Sequence, residues 1–126
     1  MEYHEPYELL DEDTRNYHRA IKSMMEELEA VDWYHQRVVT CTDPELKQLL
    51  IHNRDEEMEH ACMALEWLRR HMPGWDHMLR TYLFQDENTS IVETEKEATG
   101  KSSGASAEKT HDEHKNLSLG IGSLKP

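Results

Sequence analysis

The sequence predicts an all-α fold: an antiparallel two-helix hairpin with a short third helix, dimerising into a four-helix bundle, followed by a disordered C-terminal tail. Three observations predict it. Apolar residues recur at three- and four-residue steps along two long stretches, and a Thr-Asp-Pro break at Thr42 to Pro44 separates them. Two helices and one short addition also leave an apolar face that a lone chain cannot cover, so association is the expected remedy.

Met1 to Tyr7 is polar and aromatic and contains Pro6, which predicts an extended arm. Asp11 or Asp13 can cap the first helix, whose opening turn is acidic and whose pattern runs to about Val39. Tyr17, Ala20, Ile21, Met24, Leu28, Val31 and Val38 share one face of it, and Glu27 falls within that arc, roughly 60° from Met24. Thr42 or Asp43 caps the second helix and Pro44 suits its first position; the short connection makes the two helices antiparallel neighbours.

The second helix carries the apolar positions Leu46, Leu50, Ala61, Ala64 and Leu68 and is stopped by Met72-Pro73-Gly74, with Arg69 and Arg70 near its negative end. A third helix from Trp75 to about Phe84 bears Met78, Leu79, Tyr82 and Leu83, which calls for packing across the hairpin or against another subunit. Residues 1–85 thus form one helical domain. From Gln85 to Asn116 apolar residues nearly vanish, which predicts a flexible linker over residues 86–116. Leu117, Leu119, Ile121 and Leu124 then return among small residues, so 117–126 reads as an extended docking peptide.

Within the second helix, Glu57 and His60 stand three residues apart, a spacing that lets a carboxylate and an imidazole close on one ion. An ionised carboxylate on a core-facing stripe requires a basic partner or a metal. Each residue alone admits a plainer role: Glu27 in a salt bridge, His60 as a histidine bonded to a carbonyl. The conjunction points further. Di-metal carboxylate bundles need one Glu from each of two helices and a Glu-x-x-His from each of the other two. This chain supplies one of each, half of such a site, and a two-fold copy would double it to four carboxylates and two imidazoles. On the first helix, Glu26, Glu29 and Trp33 cluster opposite Met24. They read either as a solvated face or as a secondary cation site feeding Glu27.

The net charge of −12 argues against nucleic acid or an anionic membrane as partner and suits a surface that attracts cations. Cys41 and Cys62 are too few for a disulfide framework, although one bridge stays open, and no secretory signal or membrane-length apolar run is present. A reducing, cytosolic setting is expected.

Met25-Glu-Glu-Leu-Glu-Ala-Val-Asp-Trp-Tyr34, Asn53-Arg-Asp-Glu-Glu-Met-Glu-His60, Leu65-Glu-Trp-Leu-Arg-Arg70 and Arg80-Thr-Tyr-Leu-Phe84 closely resemble the encapsulated ferritins, ferritin-like proteins packaged in encapsulin shells. The resemblance covers nearly all of residues 4 to 84. Leu119-Gly-Ile-Gly-Ser-Leu-Lys125 is similar to the encapsulin-targeting peptides of such cargo. The resemblance implies a ferroxidase with a di-iron centre formed between two subunits, to which Glu27, Glu57 and His60 of each contribute. It implies that Tyr34 stands beside that centre, that Glu26 and Glu29 form a site where metal enters, and that Trp33 neighbours it. It further implies a homodimer assembled into an open ring of ten subunits, housed in an encapsulin nanocompartment in the cytoplasm, with the shell receiving the mineral.

Two other functions compete with iron oxidation. A metal-stabilised helical adaptor would only present the docking peptide, and zinc would serve it as well as iron. Another di-iron activity, such as peroxide reduction, would use the same ligands.

Overall fold

The structure, a computed structural model, describes residues 3–100. Four α-helices carry the described chain: α1 (Glu12–Thr40), α2 (Pro44–His71), α3 (Trp75–Tyr82) and α4 (Ile91–Gly100). No described residue is in a strand.

Helix α1 opens where the sequence predicts. Asp11 accepts a hydrogen bond from the Thr14 amide at 2.7 Å, satisfying one of the amides that a helix start leaves unpaired. Ahead of it, where the expected arm ends, Tyr7–Leu9 forms a single 3-10 turn. Arg15 accounts for this: its guanidinium donates to the Tyr7 carbonyl at 2.8 Å and lies over the Tyr7 ring at 3.9 Å. Tyr3 completes the cluster against Tyr7 and His18.

The turn is equally local in origin. Asp43 accepts from the Leu46 amide at 2.8 Å, and Pro44 occupies the first helical position, where a missing amide hydrogen costs nothing. Three cross-links fix the direction of α2 against α1. Arg54 donates to His35 Nδ1 at 3.1 Å, His60 faces Glu27, and Trp67 meets Tyr17 edge-on at 6.4 Å. As α2 advances, its partners on α1 recede, so the hairpin is antiparallel.

This hairpin buries little. Val38, Ala61 and Leu68 are the buried apolar residues of the described chain. Leu46, expected on the buried stripe, is exposed in the first turn of α2, beyond the reach of that packing. Leu28 and Met58 are 53% and 45% exposed. Side chains of this kind stabilise a fold only once covered.

The segment after Leu68 forms a compact unit of its own. Pro73 and Gly74 break α2, and Gly74 takes φ +105°, which residues with a Cβ rarely adopt. Asp76, 8% exposed, is held by Arg69 at 2.6 Å and by Arg80 through both carboxylate oxygens at 3.0 Å. Burial works to raise the Asp76 pKa, but its hydrogen bonds to Arg69 and Arg80 outweigh it and hold the carboxyl below its ordinary range. Helix α4 corrects the expectation of a flexible linker over its first part. Ser90 Oγ accepts from the Glu93 amide while Glu93 returns an acceptor to the Ser90 amide, both at 3.1 Å. This reciprocal capping box starts a helix that also packs against α3. The expected docking peptide and the rest of the linker lie outside the described residues.

Candidate metal centre

Helix α1 brings Glu27, and α2 brings Glu57 and His60, to one place. One donor atom from each lies within 4.8 Å of the others. His60 Nδ1 is 3.4 Å from Glu57 Oε1 and 3.7 Å from Glu27 Oε2. Two opposed donors on a first-row ion stand about 4.2 Å apart, twice a bond of ~2.1 Å, so these three fit a single ion with small side-chain movements. Among the described residues this is the one group of three or more such side chains that could hold a metal.

The electrostatics agree with the geometry. Glu57 hydrogen-bonds to Glu27 and raises its pKa, burial and the Glu57 charge add to the shift, His60 opposes it, and Glu26 contributes further repulsion. Two carboxylates facing one another raise the local negative potential, which a metal ion could neutralise. The side chains of Glu27, Glu57 and His60 are 27%, 23% and 46% exposed. The cluster is therefore open on one side, and Leu28 and Met58, each next in sequence to a donor carboxylate, are exposed too.

This arrangement of donors on a helical hairpin is accompanied by a family match over residues 2–86, to the EncFtn-like family. The chain belongs to that family. An "Encapsulated ferritin-like protein" of Rhodospirillum rubrum is 57% identical over 122 residues, 97% of this chain and 86% of that one. A "Ferritin-like protein" of Thermotoga maritima is 58% identical over 101 residues, 80% of this chain and 87% of that one. The crystal structure of protein ne0167 from Nitrosomonas europaea matches with a TM-score of 0.65 at 58% identity, covering 68% of this chain and 93% of that one. The EncFtn-like chain is thus a ferritin-like helical protein, as its resemblance to encapsulated ferritins implies.

The remaining residues singled out in the sequence do not join the Glu27, Glu57 and His60 cluster. Glu26, Glu29 and Trp33 are exposed on α1. Tyr34 is half-buried about two turns beyond Glu27, with the Arg37 guanidinium 5.2 Å from its ring. Cys41 and Cys62 are both free thiols, and no described helix is long and apolar enough to cross a membrane.

One residue was missed. Glu56 Oε2 lies 3.9 Å from His60 Nε2, on the side of the ring away from the donor cluster, and Glu56 Oε1 lies 3.5 Å from His52 Nε2. Its four-residue step from each histidine was readable, but a carboxylate within an acidic run resembles a solvated face.

Proposed function

We propose that this EncFtn-like protein is a ferroxidase, taking Fe2+ as substrate and dioxygen as electron acceptor at a di-iron centre shared between two subunits. The observation that carries the reading is the convergence of Glu27, Glu57 and His60 on an open face. One chain offers two carboxylates and one imidazole, too few for two ions. A two-fold copy makes four carboxylates and two imidazoles, whose charge two Fe2+ ions balance. Hard carboxylate oxygens favour the ferric state, which is the chemistry this ligand set supplies when iron is bound.

The protein's part is positional. Glu27 and Glu57 trade their mutual repulsion for attraction to the metal, and His60 adds a neutral nitrogen. Because the complete site exists only in the pair, metal affinity becomes assembly free energy; a ligand at a hundred times its dissociation constant contributes about 2.7 kcal/mol. Exposed Glu26 and Glu29 are proposed to receive incoming Fe2+, with Trp33 beside them and Tyr34 next to the centre.

The name of the Rhodospirillum rubrum relative supports encapsulation, and its match extends over nearly the whole chain. We infer three functional parts: a ferritin-like domain over 1–85, a connecting stretch over 86–116, and a peptide over 117–126 that binds the encapsulin shell. Pairs then assemble into a decameric ring inside an encapsulin compartment in the cytoplasm, and the shell receives the oxidised iron for storage. Loss of encapsulation on deleting 117–126, with oxidation intact, tests that division.

The catalytic reading is tested by adding Fe2+ aerobically and following ferric absorbance. Loss of a partner that merely orients a metal ligand costs about 10–100-fold. Glu27→Ala, Glu57→Ala and His60→Ala should each cost at least that. Undiminished rates in all three would end the assignment, and zinc-driven assembly without oxygen consumption would favour an adaptor.

A further inference from the structure

We propose that Glu56 is a positioning residue for the metal centre: it accepts a hydrogen bond from the Nε2–H of His60, fixing the ring so that Nδ1 carries the lone pair towards Glu27 and Glu57. The inference rests on the proposed function above and adds to it the tautomer and orientation of the nitrogen ligand. His60 has two distinct nitrogens, and only one can be the donor. Nδ1 is the one within 3.4 Å of Glu57 and 3.7 Å of Glu27. Nε2 looks away from them and towards Glu56 Oε2 at 3.9 Å.

Which nitrogen of a neutral imidazole is free to ligate is decided by where the other sends its proton, and an acceptor carboxylate on the far side is the usual means. Glu56 is placed for that by one turn of α2, since positions four apart share a helix face. At 3.9 Å the pair is longer than a hydrogen bond, and a small rotation of either side chain closes it as Nδ1 engages a metal.

Glu56 has a second support. Its other oxygen stands 3.5 Å from His52 Nε2, a further turn back along α2, so the carboxylate is held between two imidazoles. Stability does not explain the arrangement: the Glu56 side chain is 44% exposed, and ion pairs so exposed add little to a fold. A role in orienting His60 does explain why the carboxylate faces the ring nitrogen that the cluster leaves unused.

The experiment compares full-length wild type with Glu56→Ala, Glu56→Gln and His60→Ala. Readouts are Co2+ affinity and visible spectrum, and the initial rate of aerobic Fe2+ oxidation. Glu56→Ala is expected to weaken Co2+ binding and slow oxidation by about 10–100-fold with the number of ions per pair unchanged. Glu56→Gln keeps an acceptor oxygen in the same place and is expected to recover most of that loss along with the wild-type Co2+ spectrum. Far-ultraviolet circular dichroism should be the same for all, as befits a solvated helix position.

If Glu56→Ala binds and oxidises like wild type while His60→Ala fails, the positioning role is overturned and the ferroxidase reading stands. A fall in the number of ions per pair would make Glu56 a ligand instead and also overturn it, as would failure of Glu56→Gln to rescue. If His60→Ala itself matches wild type, His60 is not a ligand and the positioning role is overturned with it; the ferroxidase reading fails only if Glu27→Ala and Glu57→Ala match wild type as well.

Discussion

Glu27 on α1 and His60 on α2 meet across the hairpin, with Oε2 of one 3.7 Å from Nδ1 of the other. That approach joins the two halves of the donor set, and it brings the Glu27 carboxyl against that of Glu57.

A first prediction concerns the cost of that crowding. The raised Glu27 pKa means that its favourable contribution to the metal-free fold is complete below 4.5 and is lost as pH rises through the raised value. At neutral pH, chelator-treated wild type should therefore melt below Glu27→Gln, and acidification towards pH 5 should narrow the gap. Adding Zn2+ should reverse the order, because only the wild type retains the full ligand set. Thermal melts at the two pH values, with and without Zn2+, check this.

A second prediction follows from the exposed apolar residues. Leu28→Glu should weaken self-association by at least about tenfold, since covering a leucine contributes about 1.5–3 kcal/mol and 1.4 kcal/mol is one decade. Sedimentation across a dilution series measures it.

Asp76 makes a third. Removing it takes a shared carboxylate from Arg69 and Arg80, and Asp76→Ala should cost about 1.5–3 kcal/mol, the range for hydrogen bonds to charged groups. The depressed pKa gives the sign of its pH dependence: the contribution is fully present above 3.8 and fades as pH falls through the folded value. Denaturant unfolding at pH 7 and near pH 3 should show the wild type losing more of its stability on acidification than Asp76→Asn.

Ser90 supplies a fourth. Ser90→Ala removes half of the capping box and should destabilise α4 by about 1 kcal/mol. Amide exchange should quicken in residues 91–100 and stay unchanged in α1.

Much of this was legible in the sequence. The period of the apolar residues gave α1 and α2, Asp11 and Asp43-Pro44 gave their starts, and the spacing of Glu57 and His60 pointed to the pair that Glu27 joins as a candidate metal site. What escaped were features in which charge, not apolar pattern, organises the chain. Asp76 reads as an ordinary acidic residue until Arg69 and Arg80 are seen closing on it. Ser90 and Glu93 sit in a stretch too polar to suggest a helix, although their spacing is that of a capping box. Arg15 reaches back to the Tyr7 carbonyl at the 3-10 turn ahead of α1, and Glu56 is hidden among its acidic neighbours.

The most direct measurement is the intact mass of the native protein as Fe2+ is added without oxygen. Two ions per pair of chains, taken up together with association while single chains stay metal-free, is the predicted result. One ion on each single chain, with no change in assembly, would contradict it.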